Sequence, residues 1–204
     1  MAYVTTDTLI RRSFHIIYLC SFLIVIISTL LGDDFAEFMS SESSPIEILS
    51  VVGYVLATAA ALYSHYKGYI SYGINAAIIL FVMALRELDF HDRFTTMGIM
   101  KTRFYISDAV PVTEKVIAAV ITLIVLYVII RFFWRNTRSF IQAVQAKSGP
   151  ALLTLNGLAF TVASKLIDSN NTLFLGVLEE TLEFSIPFFF LLAILFHDRE
   201  RLLE

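Results

Sequence analysis

Apolar residues run along this chain in long, nearly unbroken stretches separated by short polar ones, with little of the period-two alternation that marks a half-buried strand. Runs at 14–31, 46–64, 69–88, 113–130, 151–167 and 173–196 approach or exceed the about 20 residues that a helix needs to cross a hydrocarbon core of roughly 30 Å. The pattern predicts an all-α, polytopic membrane bundle of about six transmembrane helices, forming a single integral membrane domain over residues 1–204. The pair Arg11 and Arg12 before the first run resembles a twin-arginine signal, but the stretch after the run, "GDDFAEF", has no small-residue cleavage pattern. A retained first helix is expected.

Punctuation supports these bounds. In "SSPIE", Ser44 is placed as N-cap, Pro45 at the first helical position and Glu47 three residues after the cap, a capping box opening the second helix. "SGPALL" opens the fifth in a similar way. Gly53 with Ala57 and Gly73 with Ala77 are small residues four apart, a spacing that lets the second and third helices approach closely.

Composition agrees with the pattern. Of 204 residues, 57% are hydrophobic and 16% charged, against an apolar share of roughly 45–50% and a charged share of roughly 25% in soluble domains. Mean hydropathy is +0.75. The single cysteine, Cys20, excludes an internal disulfide or a thiolate metal cluster. The sequence contains no P-loop, Rossmann glycine pattern, HExxH or G-x-S-x-G, which argues against nucleotide chemistry, and no nucleic-acid partner is expected.

Six spans put both termini on one side. That side would carry Arg11, Arg12, Lys67, Arg131, Arg135, Arg138, Lys147, Arg199 and Arg201, whereas the other carries fewer cations and none between the first two helices. The positive-inside rule therefore predicts cytoplasmic termini, in what is expected to be a bacterial cytoplasmic membrane. The connection after the fourth span, "RFFWRNTRSFIQAVQAKSG", mixes cations with aromatics and is expected to form an interfacial helix touching anionic headgroups, with a partner-docking surface as the rival reading.

The unusual chemistry lies in "GVLEETLEFSIPFFF", where Glu179, Glu180 and Glu183 sit within the last apolar run. At 1.5 Å per residue, Glu183 lies about 15 Å along a helix starting near Leu173, so the carboxylates must face protein or water. Pro187 cannot donate to the carbonyl of Glu183, leaving a free acceptor beside the deepest carboxylate. Under the six-span topology, polar ends of other helices meet this stripe. The third span ends in Arg86, Glu87 and His91, and the fifth in Ser164, Lys165 and Asp168. The connection at 94–112 adds Lys101 and Arg103 in a stretch that reads first as a loop packed on the bundle rim and second as an interfacial lid, suited to a lipid phosphate or carboxylate.

Three functions fit this constellation. A non-catalytic accessory or scaffold subunit ranks first, its polar core fixing helix register and its surface binding a membrane-protein partner or a second copy of itself. A membrane-embedded enzyme acting on a lipid or prenyl substrate ranks second. In that case Glu183, Glu180, Glu87 and Asp168 are the catalytic candidates. Arg86, Lys165, Glu179, Ser164, Lys101 and Arg103 are the binding candidates, and Glu87, His91, Asp168 and Glu183 the candidate ligands of a divalent metal. A proton or cation pathway ranks third, with Asn75 and Asn156 extending polarity inward. A purely structural ion pair of Glu183 with Arg86 or Lys165 weighs as much as any of these functional roles.

Overall fold

The computed structural model describes residues 6–41, 44–90, 95–96, 98–99, 101–167 and 172–203, with no side-chain description beyond residue 197. Among the described residues the chain is all-helical. Its helices are α1 (Thr6–Leu30), α2 (Asp33–Met39), α3 (Pro45–Tyr66), α4 (Gly73–Glu87), α5 (Thr102–Ile106), α6 (Val112–Gln145), α7 (Gly149–Ile167) and α8 (Leu173–Leu203).

Four of them, α1, α3, α6 and α7, are long and apolar enough to cross a membrane. Their exposed surface is apolar as well. Leu19 and Phe22 on α1 are more than half exposed, as are Ile117 and Ile124 on α6. A helix that is hydrophobic all round, with such side chains turned outward, is suited to lipid rather than water. The two other expected spans differ in length: α4 has 15 residues and α8 has 31, or about 22 Å and about 46 Å.

Helix α8 occupies the middle of the bundle, between α1, α3 and α7. On one side Ile186 joins Tyr54, Ala57 and Ala61 of α3 and Ala77 and Leu80 of α4. On the other, Phe189, Ala193 and Phe196 pack with Ile10 and Ile17 of α1 and Leu153 of α7. Polar clamps reinforce the α1 contacts: the Ser21 and Ser185 hydroxyls are 2.7 Å apart, and Tyr18 donates from its hydroxyl to Asn156 Oδ1. Helix α8 runs unbroken through the buried Pro187.

The cap predicted at Ser44 forms, although the Ser44 amide donates to the Ser41 carbonyl at 3.1 Å rather than to the Glu47 side chain of a full capping box. Ser44 is extended and its side chain accepts from the Glu47 amide at 3.2 Å, with Pro45 in the first turn. Ser44→Ala is expected to cost about 1 kcal/mol, read as a lowered melting temperature in detergent.

The small residues act differently from the expectation that both pairs join the second and third helices. A Cβ on Gly53 would lie 2.9 Å from Pro187 Cγ, so this glycine lets α3 approach α8. A Cβ on Gly73 would lie 2.6 Å from the Ala61 carbonyl oxygen, and this one does bring α4 onto α3.

A further correction concerns the basic connection. The stretch expected as a separate interfacial helix is instead the continuation of α6, one helix of 34 residues and about 51 Å. Nothing in "RFFWRNTRSF" stops a helix, since it holds neither Gly nor Pro. Helix α6 stands at the periphery, packed on α4 and α7, with Ala118 as its buried residue. The connection at 94–112 is packed on it, as the first of its two readings expects. Phe104 of α5 is fully buried against Val110 and Ala118, and Glu114 accepts from the Thr96 amide at 2.7 Å and hydroxyl at 2.9 Å.

Candidate functional site

Three helices bring charged side chains together, the last turns of α4 and α7 meeting the first third of α8. Arg86, in the last turn of α4, places one guanidinium nitrogen 2.6 Å from Glu87 Oε1 and 3.0 Å from Glu183 Oε1 of α8. Its Nε also donates to Glu87 Oε1 at 3.2 Å. Lys165, in the last turn of α7, lies 3.2 Å from the same Glu183 oxygen and 3.6 Å from Glu179. Glu183 is therefore shared, with one oxygen holding a cation from each flanking helix. The network ties α4 to α7 through α8.

Burial grades across the network. The Glu87 and Glu183 side chains are 4% and 10% exposed, whereas Arg86 and Lys165 are 38% and 45% exposed. The carboxylates form the floor and the long cationic side chains reach down to them from the rim, keeping their stems against apolar surface. Two buried carboxylates this close would repel one another in a low-dielectric setting, and the Arg86 guanidinium between them removes that repulsion.

Glu180 behaves differently. Among the described residues it has no hydrogen bond or ion pair, and it lies in the field of Glu183, Glu87, Glu179 and Glu47. The stripe expected to carry all three carboxylates together is thus divided. Glu179 and Glu183 reach Lys165 on α7, and Glu180 is left without a cation of its own.

Tyr54 is a member that the sequence reading did not include. It is fully buried on α3, its charge environment includes Glu87, Arg86 and Glu183, and its hydroxyl has no hydrogen-bond partner among the described residues. Nothing in its sequence neighbourhood separates it from an aromatic residue that only packs within a span.

The remaining candidates fall in three groups. Ser164 is buried and its hydroxyl donates to the Thr161 carbonyl at 3.2 Å, which keeps it within its own helix. Lys101 and Arg103 are exposed at α5, in the segment pinned to α6. His91 and Asp168, two of the four expected metal ligands, lie outside the described residues. Among the described residues no three His, Cys, Asp or Glu side chains are grouped so as to hold a metal ion. Between Glu87 and Glu183, the two described members of that set, stands Arg86.

Asn156, expected to extend polarity inward, accepts from Tyr18 of α1 and donates to the Leu152 carbonyl at 2.8 Å. It serves the contact between α1 and α7. No family model, curated protein or solved structure matches the chain. The functional reading therefore stands on its own residues.

Proposed function

We propose that this protein is a small polytopic membrane protein that serves as an accessory or scaffold subunit of a membrane assembly, with six spans and both termini in the cytoplasm. The observation that carries the reading is the shared Glu183. Its oxygen engages both Arg86 and Lys165, so the intramembrane charges are used in holding three helices in register. Fixing register is the best-attested role of a buried ionic group. The broad apolar exposure of α1 and α6 adds surface for neighbours within the bilayer.

The assembly reading is tested by extracting the protein with its surrounding bilayer in a polymer belt and weighing it by native mass spectrometry. A defined stoichiometric complex, with a second protein or with further copies, is the expected result. A lone monomer throughout would overturn it. The topology is tested separately, in a Cys20→Ser background, by labelling Ser139→Cys and Ser107→Cys with a membrane-impermeant maleimide. Residue 139 should react in inside-out vesicles and residue 107 in right-side-out ones; reaction of both in the same vesicles would contradict six spans.

A second reading, a membrane-embedded enzyme acting on a lipid or prenyl substrate, is favoured by Glu180, the carboxylate of the cluster that the described cations leave unpaired. Its general-acid or general-base role would be distinguished by Glu180→Gln. That variant should keep its melting temperature and lose turnover of lipid substrates, whereas the scaffold reading predicts that assembly is unchanged.

A further inference from the structure

At about 51 Å, α6 is longer than the roughly 40–45 Å of a whole bilayer. Its apolar run, 113–130, measures about 27 Å and so crosses a core of roughly 30 Å close to upright, with no length to spare for tilt. Tyr127 and Arg131 mark where it leaves the lipid. The guanidinium donates to the Tyr127 hydroxyl at 3.1 Å and stands 6.0 Å from the ring centroid, a pairing of aromatic and cation that suits a membrane interface. Residues 131–145 continue the same helix for about 22 Å. The headgroup layer takes up roughly 5–7 Å of that, so from Arg135 onward the helix is a stalk standing in water.

The stalk has two faces. Phe132, Asn136, Phe140 and Ala143 turn inward, toward α4, α7 and α8. Trp134, Arg138 and Ile141, at spacings of four and three, share the opposite face, with Arg135 on its flank. Trp134 is 88% exposed and Ile141 48%. Arg135 and Arg138 are exposed too, and they form no ion pair among the described residues. No Asp or Glu occurs between Glu114 and Asp168, so neither the stalk nor α7 beside it supplies a counter-charge. Exposed Trp and Ile beside two unpaired arginines have the composition of an interface centre, where Trp and Arg carry most of the binding energy.

We infer that this face of α6, formed by Trp134, Arg135, Arg138 and Ile141, docks an acidic amphipathic helix of a different protein. Carboxylates three or four residues apart on the incoming helix pair with Arg135 and Arg138, and an apolar stripe beside them covers Trp134 and Ile141. Charge complementarity selects this occupant. The same face of a second copy would set arginine against arginine, and anionic headgroups end short of Arg138, which lies about 12 Å past the apolar run. The inference rests on the accessory-subunit reading and adds to it the chemistry of the partner.

The test uses the full chain in the membranes of cells that express it. A benzophenone amino acid replaces Gln142, which is exposed one turn from Arg138, and the products of photo-activation are sequenced by mass spectrometry. The expected product joins this stretch to a segment of another protein that has carboxylates three or four residues apart beside apolar positions. Arg135→Glu with Arg138→Glu keeps good helix formers in the stalk and should lower the yield at least about tenfold. Exchanging the carboxylates of the captured segment for lysine should then restore it. Products with lipid or a second copy alone, or a yield indifferent to the charge reversal, would overturn the inference while a complex seen by native mass spectrometry left the accessory role standing. A lone monomer would overturn both.

A second measurement checks the reach of the stalk. Trp134 is the sole tryptophan, so Trp134→Phe with Ile141→Trp places a fluorescent reporter high on it, and Trp134→Phe with Ile124→Trp places one in the apolar run. In vesicles of phosphatidylcholine and phosphatidylglycerol with brominated acyl chains, only the reporter at 124 should be quenched. Equal quenching at 141 would lay the stalk on the lipid and overturn the inference.

Discussion

Arg86→Met is expected to lower the stability of the detergent-solubilised protein by about 3 kcal/mol, the lower part of the range for breaking a buried ion pair from one side. The guanidinium is 38% exposed, so part of its interaction is already screened. The carboxylates that it leaves behind are not. Glu87 and Glu183, 4% and 10% exposed, would face each other with only Lys165 to neutralise Glu183. The comparison with Lys165→Met makes the prediction specific. Lys165 is 45% exposed and, of the two carboxylates that it reaches among the described residues, Glu183 keeps Arg86 when it is removed. Its loss should cost less than half as much. Melting curves of the two variants in the same detergent provide the check, and a larger effect at Lys165 would contradict the described order.

Gly73→Val is expected to be about as damaging, by a different route. A Cβ at this position would sit 2.6 Å from the Ala61 carbonyl oxygen and 2.6 Å from His65 Cβ. The first is backbone and cannot rotate away, so α4 must move off α3. Overpacking of this kind costs about 1–3 kcal/mol, and the larger figure fits an obstruction by backbone. The damage should also spread, because α4 carries Arg86 to the network at its far end. Gly149→Ala is the informative contrast. Its Cβ would meet Ile10 Cδ1, the free end of a flexible side chain, and repacking should limit the loss to well under that of Gly73→Val. The relative melting temperatures of the two variants decide the point.

Much of the architecture was legible in the sequence because burial in a bilayer demands long apolar runs and leaves clear edges. The run at 46–64 became Pro45–Tyr66, capped at Ser44, and the run at 151–167 became Gly149–Ile167. Where the fold departs from the pattern, local signals were silent. Helix α6 continues well past the apolar stretch because its basic residues are good helix formers, and hydropathy marks only where the apolar surface stops. Helix α2, at "DDFAEFM", is a helix of 7 residues in the polar stretch between the first two apolar runs. Its position, packed against α8 and α1, is a tertiary fact.

The site was legible in its membership more than in its wiring. Glu183 with Arg86 or Lys165 follows from residues of opposite charge at the same depth, yet the sequence offered the two cations as alternatives, and the structure uses both on one oxygen. Periodicity put Glu179, Glu180 and Glu183 on one stripe, but a stripe is wide enough for its edges to meet different neighbours. That is how Glu179 shares Lys165 with Glu183 while Glu180 does not. Tyr54 was passed over because an aromatic residue in a span is ordinarily packing, and only its position against Glu87 and Arg86 distinguishes it.

The central claim is that Glu87, Glu179 and Glu183 are engaged in an ion-pair network that ties α4, α7 and α8 together. The most direct measurement is a double-mutant cycle on Arg86→Met and Glu183→Gln, read as unfolding free energies in one detergent. A shared interaction predicts strong coupling, with the double variant more stable than the sum of the single losses by at least about 1 kcal/mol. Losses that add to within about 0.5 kcal/mol would mean that the two side chains do not depend on each other, contradicting the network and leaving the carboxylates to the catalytic reading.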